Sequence, residues 1–262
     1  MFQSSTLSFL KELKKNNNKP WFDTNRHKYV SAKNDFENFV EKIIAVTSDF
    51  DPDIKGLQVK NCTFRINRDI RFSKDKTPYK ANMGASFNRG GKKSLFAGYY
   101  FHMEPGGKSF AGGGLWMPES MELKKVRQEI DYCYPEFRKI ITSPAFKKQY
   151  PGLEMSKSQM LVNIPKGYDK ENPAASFLRL KSFIATKNLT DSDLESSSLL
   201  KVVTASFNAL SFAGRVIVTN AIASRCSIRT ASDIALSSSK DRSSCQACMT
   251  SPASVAAAPC AR

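Results

Sequence analysis

Leu7, Leu10 and Leu13 recur every three residues with Lys11, Lys14 and Lys15 between them, which predicts one face of a short amphipathic helix. Asn16-Asn17-Asn18 interrupts that face, and Pro20 suits the first turn of a second helix. Phe22, Tyr29, Phe36, Phe39, Val40, Ile43 and Ile44 then recur mostly at helical spacing, predicting a helix that runs to about Ser48. Asp51-Pro52-Asp53 breaks it. Beyond this point the period falls to two. Phe64 and Ile66 alternate with Arg65 and Asn67, Met83 to Phe87 predicts a short strand, and Asn88-Arg89-Gly90-Gly91 is a hairpin signal. The clearest strand is Leu95 to Glu104. Leu95, Ala97, Tyr99, Phe101 and Met103 fall on one face, and Phe96, Gly98, Tyr100, His102 and Glu104 on the other. Pro105-Gly106-Gly107 turns the chain into a further strand, Ser109 to Met117.

Pro118 opens a helix with Leu123, Val126 and Ile130 inward, and a shorter one is expected around Pro135 to Ile141. Ser182 to Leu189 is a late strand. Thr190 or Asp191 then caps a last helix carrying Leu199, Leu200, Val202, Val203, Phe207 and Leu210. Strands in the middle with helices at both ends predict an α+β fold, with a mostly antiparallel central sheet flanked by N-terminal and C-terminal helices. Strands do not alternate with helices, so a doubly wound sheet is not expected. There is no internal repeat. The pattern describes a single domain over residues 1–210.

Composition changes the picture at the C-terminal end. Residues 211–262 hold 11 Ser and 11 Ala, no Trp, Tyr or Glu, and a single Leu, Leu236. So few large apolar side chains cannot offset the entropy of ordering, so a low-complexity, disordered or frame-shifted tail is expected. Four of the six cysteines lie there: Cys226, Cys245, Cys248 and Cys260. Their spacing fits no zinc pattern, and Cys245-x-x-Cys248 lacks the strand–helix setting of a redox motif.

Charge sharpens the picture further. The chain carries a formal net charge of +16, a property that speaks of partners rather than of fold. Residues 61–93 contain nine of the basic residues against Asp69 and Asp75 alone. Arg65, Arg68 and Arg71 recur every three residues and are followed by Lys74, Lys76 and Lys80. Guanidinium groups grip phosphate or carboxylate in two-pronged fashion and ammonium groups add charge, so this segment is the candidate anion-binding element. A solvated basic loop is the plainer alternative. Tyr100, His102 and Glu104 share a strand face, with His102 and Glu104 the candidate catalytic acid/base groups and Tyr100 a ligand contact. Two such residues do not make a metal site, and none is assigned. Gly107-Lys108-Ser109 resembles the end of a phosphate-binding P-loop, but the glycine required five positions earlier is His102. Gly112-Gly113-Gly114 is expected to permit close backbone approach within a sheet. Trp21 and Trp116 are expected in the core, as are reduced Cys62 and Cys133.

Several blocks together resemble a known family. They are Asn17-Asn18-Lys19-Pro20-Trp21-Phe22-x-x-Asn25-Arg26, the run Arg68 to Lys80, Gly98-Tyr99-Tyr100-x-His102-x-Glu104-Pro105-Gly106, and Gly112-Gly113-Gly114-x-Trp116-Met117-Pro118. Lys166-Gly167-Tyr168-Asp169 and Lys181-Ser182-Phe183 fit as well. They are similar to the signatures of the uncharacterised family called domain of unknown function 2461, over about residues 5–210. The resemblance implies no activity. It implies that Arg68–Lys80, His102–Gly106 and Gly112–Pro118 form the family's shared surface or core. Members continue the last helix in more apolar sequence, and this chain departs from them after Leu210.

The functional expectation is a pocket for a phosphate-bearing or other anionic small molecule, with no reaction or cofactor indicated and its status as an enzyme open. A nucleic-acid-binding module, supported by the charge and by Tyr79, Tyr99 and Tyr100, is the alternative. A structural or interaction protein without a ligand is the third reading. No apolar run approaches the roughly 18 residues of a membrane span, and the polar Met1–Thr6 start is unlike a signal peptide, so no membrane and a cytoplasmic location are expected. Nothing in the sequence indicates an oligomeric state.

Overall fold

The computed structural model describes residues 1–214, with side chains to 211. The Ser/Ala/Cys-rich stretch beyond, with its four cysteines, lies outside the described residues. In chain order the elements are α1 Ser4–Lys15, α2 Lys19–Thr24, α3 Arg26–Phe50, α4 Val59–Cys62, β1 Met83–Asn88, β2 Gly98–Met103, β3 Ser109–Leu115, α5 Ser120–Tyr132, α6 Tyr134–Ile141, α7 Pro144–Gln149, α8 Ala175–Leu178, β4 Phe183–Leu189, α9 Asp191–Glu195 and α10 Leu199–Gly214. The strands form one antiparallel sheet in the order β1-β2-β3-β4. The fold is therefore α+β, with helices before and after the sheet.

One face of the sheet is the core. Ala85, Phe87, Tyr99, Phe101, Met103, Ala111 and Ala185 are buried there with apolar side chains of α1, α3 and α10. Phe101 sits among Phe2, Phe36 and Phe39, with ring centroids 6.1, 6.1 and 5.2 Å away. Tyr99 stacks on Phe207 of α10 at 4.8 Å, and its hydroxyl donates to Asp51 Oδ2 at 2.6 Å. A second cluster gathers Val126 and Ile130 of α5, Phe137 of α6 and Leu178 of α8 around Leu115 and Phe183 at the ends of β3 and β4. The opposite face of the sheet presents Gly84 and Ser86 of β1, Tyr100 and His102 of β2, and Phe110 and Gly112 of β3.

Several elements depart from the pattern, each for a local reason. The predicted second helix is split at Asn25. The Asn18 side chain accepts from Trp21 N at 3.0 Å and starts α2, while Asn25 Nδ2 donates to Trp21 O at 2.9 Å and ends it. Asn25 N also donates to Trp21 O, at 3.0 Å, so backbone and side chain share one carbonyl where the helix breaks. Phe64 and Ile66 do not form a strand, nor do they share a face: Ile66 is buried and Phe64 is 42% exposed. The chain bridges to β1 only at Thr63 and Ala85, then folds back on itself through the Asn67–Tyr79 bridge. Gly90 and Gly91, at φ 81° and 94°, make the turn after β1. Lys92 N then bonds Asn61 O at 2.9 Å, drawing the loop toward α4, so pairing resumes only at Gly98 and Leu95 stays exposed. The last helix is two, α9 and α10. Thr190 closes a capping box with Asp193 on α9, and α10 continues past Leu210 to Gly214. Trp21 packs against the core, but Trp116 is 60% exposed, because it follows the last paired residue of β3.

The triple glycine works through the neighbouring strands. A Cβ on Gly112 would stand 2.2 Å from Ala185 O of β4, one on Gly113 2.3 Å from Gly98 O of β2, and one on Gly114 2.0 Å from Phe183 O. The obstacles are backbone atoms on both sides, so relief requires moving a strand. Gly112→Ala is expected to destabilise the fold by roughly 1–3 kcal/mol, the scale of overpacking. Urea unfolding reads this directly, and an unchanged midpoint would refute the steric role.

Candidate functional site

The outward face of β2, continued one residue past its end, carries a row of three polar side chains. Tyr100 Oη lies 3.5 Å from His102 Nδ1, and His102 Nε2 lies 3.4 Å from Glu104 Oε2. Both spacings are at the long end for hydrogen bonds. The carboxylate beside Nε2 favours the tautomer protonated there, which leaves Nδ1 to accept from the tyrosine hydroxyl. The imidazole stacks on Phe110 at 4.9 Å and 15°. The other carboxylate oxygen, Glu104 Oε1, faces Lys14 Nζ at 3.6 Å and Lys108 Nζ at 3.8 Å. Side-chain exposures of 15% for His102 and 18% for Glu104 place the pair in a half-dry setting. Burial holds the His102 pKa below the ordinary 6.5, against a smaller upward pull from Glu104.

Tyr100 also forms one wall of a cavity of about 210 Å³, whose lining is completed by Phe64, Arg65, Lys80, Asn82 and Gly84. Gly84 matters because a Cβ there would fall 2.5 Å from Tyr100 Oη, so only glycine lets the phenol lie across β1. No carboxylate lines the cavity. Neither Arg65 nor Lys80 makes a side-chain hydrogen bond or an ion pair among the described residues, and the Asn82 amide has no partner there either. Burial and then the charge of Arg65 lower the pKa of Lys80. Two cations are thus held close enough to oppose one another.

The same segment disposes of its other cations differently. Arg68 Nη1 is bound by Asp75 and Thr77 within the loop. Arg68 thereby holds the Asp75 carboxyl down to about 2. Arg71 forms a two-pronged pair with Asp69, at 3.0 and 2.7 Å. Lys76 Nζ donates to Ile70 O at 3.0 Å, and Lys74 is exposed. Of the residues picked out in the sequence, the structure therefore gathers Arg65, Lys80 and Tyr100 at the cavity, with His102 and Glu104 behind Tyr100. Arg68, Arg71, Lys74 and Lys76 are absent from the lining.

The end of the loop is fixed from the N-terminal helices. Asn17 pairs with both backbone groups of Tyr79: its Nδ2 donates to Tyr79 O at 2.9 Å and its Oδ1 accepts from Tyr79 N at 3.0 Å. The Tyr79 ring stacks on Phe22 at 4.0 Å. The Asn17–Phe22 stretch thus sets where Lys80 begins. Phe64, Asn82 and Gly84 also line the cavity, and no motif in the sequence marks them. Only its placement outside the core sets Phe64 apart from the buried aromatics. Among the described residues no group of three His, Cys, Asp or Glu side chains is arranged to hold a metal ion. None of their helices is long and apolar enough to cross a membrane. Cys62 is buried, with its thiol pushed up to about 11 by desolvation, which suits a packing residue rather than a nucleophile.

The chain belongs to the family described as Conserved hypothetical protein (DUF2461), whose sequence model matches residues 5–213. The match takes in the sheet, the Arg65–Lys80 loop and the cavity lining, and ends three residues into the Ser/Ala/Cys-rich stretch. No curated protein and no solved structure matches.

The His102 environment has a measurable consequence. A histidine held neutral by burial binds its proton less readily folded than unfolded, so the unfolded chain carries more protons as pH falls through 6.5 toward the lowered folded value. Its contribution to stability is therefore present above 6.5 and lost on acidification through that window. Guanidinium denaturation at pH 7.5 and 5.5 is expected to show a loss of stability that is smaller in His102→Gln. An equal loss in both proteins would exclude His102 as its source.

Proposed function

We propose that the cavity lined by Phe64, Arg65 and Lys80 binds a phosphate-bearing or otherwise anionic small ligand. The observation that carries this reading is the pairing of Arg65 with Lys80, two cations in one lining that contains no carboxylate. An anion between them relieves their mutual repulsion and gives the guanidinium and the ammonium charge-assisted hydrogen bonds. Asn82 adds an amide donor, and Tyr100 a hydroxyl. The cavity is smaller than the roughly 300–1,000 Å³ of sites for drug-sized molecules, which suits an anionic headgroup rather than a whole large ligand. Tyr100 is the group placed to exchange a proton with such a ligand. His102 and Glu104 act as positioning residues behind it.

A second reading rests on the tip of the basic loop. Phe72 is 95% exposed, with the Arg71 guanidinium 5.8 Å from its centroid, an arrangement suited to stacking against a single-stranded nucleic acid. Binding of this kind should weaken steeply with salt and fail in Phe72→Ala.

Calorimetry with inorganic phosphate and pyrophosphate separates the cavity from the rest of the segment. Arg65→Ala and Lys80→Ala should each weaken binding about tenfold or more, since a hydrogen bond to a charged group contributes about 1.5–3 kcal/mol. Arg71→Ala, whose guanidinium is taken by Asp69, should leave affinity unchanged. Equal losses in all three variants would favour diffuse charge over a pocket.

A further inference from the structure

Phe64 lines the cavity with its ring partly uncovered. It is 42% exposed. Its ring lies 6.2 Å from that of Tyr100, tilted by 59°, so the two aromatics form an open angle on one side of the cavity. Lys80 Nζ is 5.8 Å and Lys92 Nζ 5.9 Å from the Phe64 centroid. These two cations are not equivalent. Lys92 is tethered, because its ammonium donates to the backbone oxygens of Lys60 and Thr63. Lys80 has no such tether and can leave the ring for an anion in the cavity. An oxyanion seated between Arg65 and Lys80 thus comes with an aromatic platform at the rim, and the Asn82 amide offers both a donor and an acceptor to the edge of a planar ring.

We infer that the ligand of this site couples an oxyanion to a planar heteroaromatic ring, the chemistry of a nucleoside monophosphate, with the phosphate between Arg65 and Lys80 and the ring stacked on Phe64. The inference rests on the anion-binding reading of the same cavity and names its ligand class. The size of the cavity supports it: about 210 Å³ takes the phosphate, and leaves the ring to lie over the exposed aromatic rather than inside. A base has a π-face whatever its identity, so stacking of this kind tolerates purines and pyrimidines alike.

Isothermal titration of the full chain with adenosine 5′-monophosphate, uridine 5′-monophosphate, ribose 5-phosphate and inorganic phosphate tests it. Both nucleotides are expected to bind about tenfold or more tightly than ribose 5-phosphate, the range of one base–aromatic stack. Phe64→Leu should abolish that difference, whereas Phe64→Tyr, which retains a ring, should preserve it. Phe64 is largely outside the core, so unchanged thermal unfolding of both variants is expected and reads their folding independently. Equal affinity for the nucleotides and ribose 5-phosphate would overturn the ring while the anion site stands. Absence of binding by all four would overturn both. Binding of a short uridine oligonucleotide without the mononucleotides would also overturn it, in favour of the loop tip as a nucleic-acid surface.

Discussion

The burial of Phe101 among Phe2, Phe36 and Phe39 is the contact on which the rest of the site depends. Side chains on a strand alternate, so a one-residue slip of β2 would exchange its two faces. Phe101, with Tyr99 against Phe207 and Met103 fully buried, makes that slip costly. A single fully buried side chain of this size contributes about 1.5–3 kcal/mol, and three of them would move to the wetter face together. The register that keeps them in the core is the same one that turns Tyr100, His102 and Glu104 outward. The polar row is thus held in place from behind by aromatic packing. Gly84 on β1, where a Cβ would fall 2.5 Å from Tyr100 Oη, leaves room for the Tyr100 ring to lie across the sheet and reach the cavity.

Charge is handled by a different device. The Arg65–Lys80 segment looks uniformly basic when counted, but its two acids are spent locally, Asp75 on Arg68 and Asp69 on Arg71. These pairs shape the loop; exposed ones like Arg71–Asp69 contribute little to stability. What remains is a contrast within one segment. The arginines nearest the tip have internal partners, whereas Arg65 and Lys80, at its two ends, line the cavity with neither an ion pair nor a side-chain hydrogen bond among the described residues. The loop's own backbone ties its two ends together, through the Asn67–Tyr79 bridge and the bond from Lys80 N to Ile66 O at 2.8 Å, and the Asn17 amide and the Phe22 ring hold the Tyr79 end against the N-terminal segment.

Much of this was legible in the chain. The helical spacing of Leu7 to Leu13 and of Phe36 to Ile44, and the alternation from Tyr99 to Met103, mark the core because burial imposes those periods. The period of two likewise put Tyr100, His102 and Glu104 on one face. What the sequence could not carry was partnership across distance. Nothing local says that Asn17 pairs with Tyr79, 62 positions away, or that Gly84 gives way to Tyr100. Nor does spacing by three say that Arg68 and Arg71 turn inward to their own loop. Convergence on one anion needs free guanidinium groups, and this segment folds back through the Asn67–Tyr79 bridge and pairs Arg68 and Arg71 with its own acids. Trp116 and Phe64 failed for a related reason. Hydrophobicity predicts burial only where pairing continues, and each sits just past the point where it stops.

The split between Tyr100 and His102 bears on how a chemical role would be divided. Tyr100 lines the cavity, whereas His102 and Glu104 are absent from the lining. With the imidazole held neutral by burial, its Nδ1 is an acceptor for the phenol proton, and its Nε2 is anchored to a carboxylate that Lys14 and Lys108 also face. That order places an acceptor behind the phenol, with charge compensation at the far end of the row. It also couples the phenol to helix α1 through Lys14. The helices that fix Lys80 through Asn17 therefore also reach the polar row from the opposite end, and both halves of the site share one support.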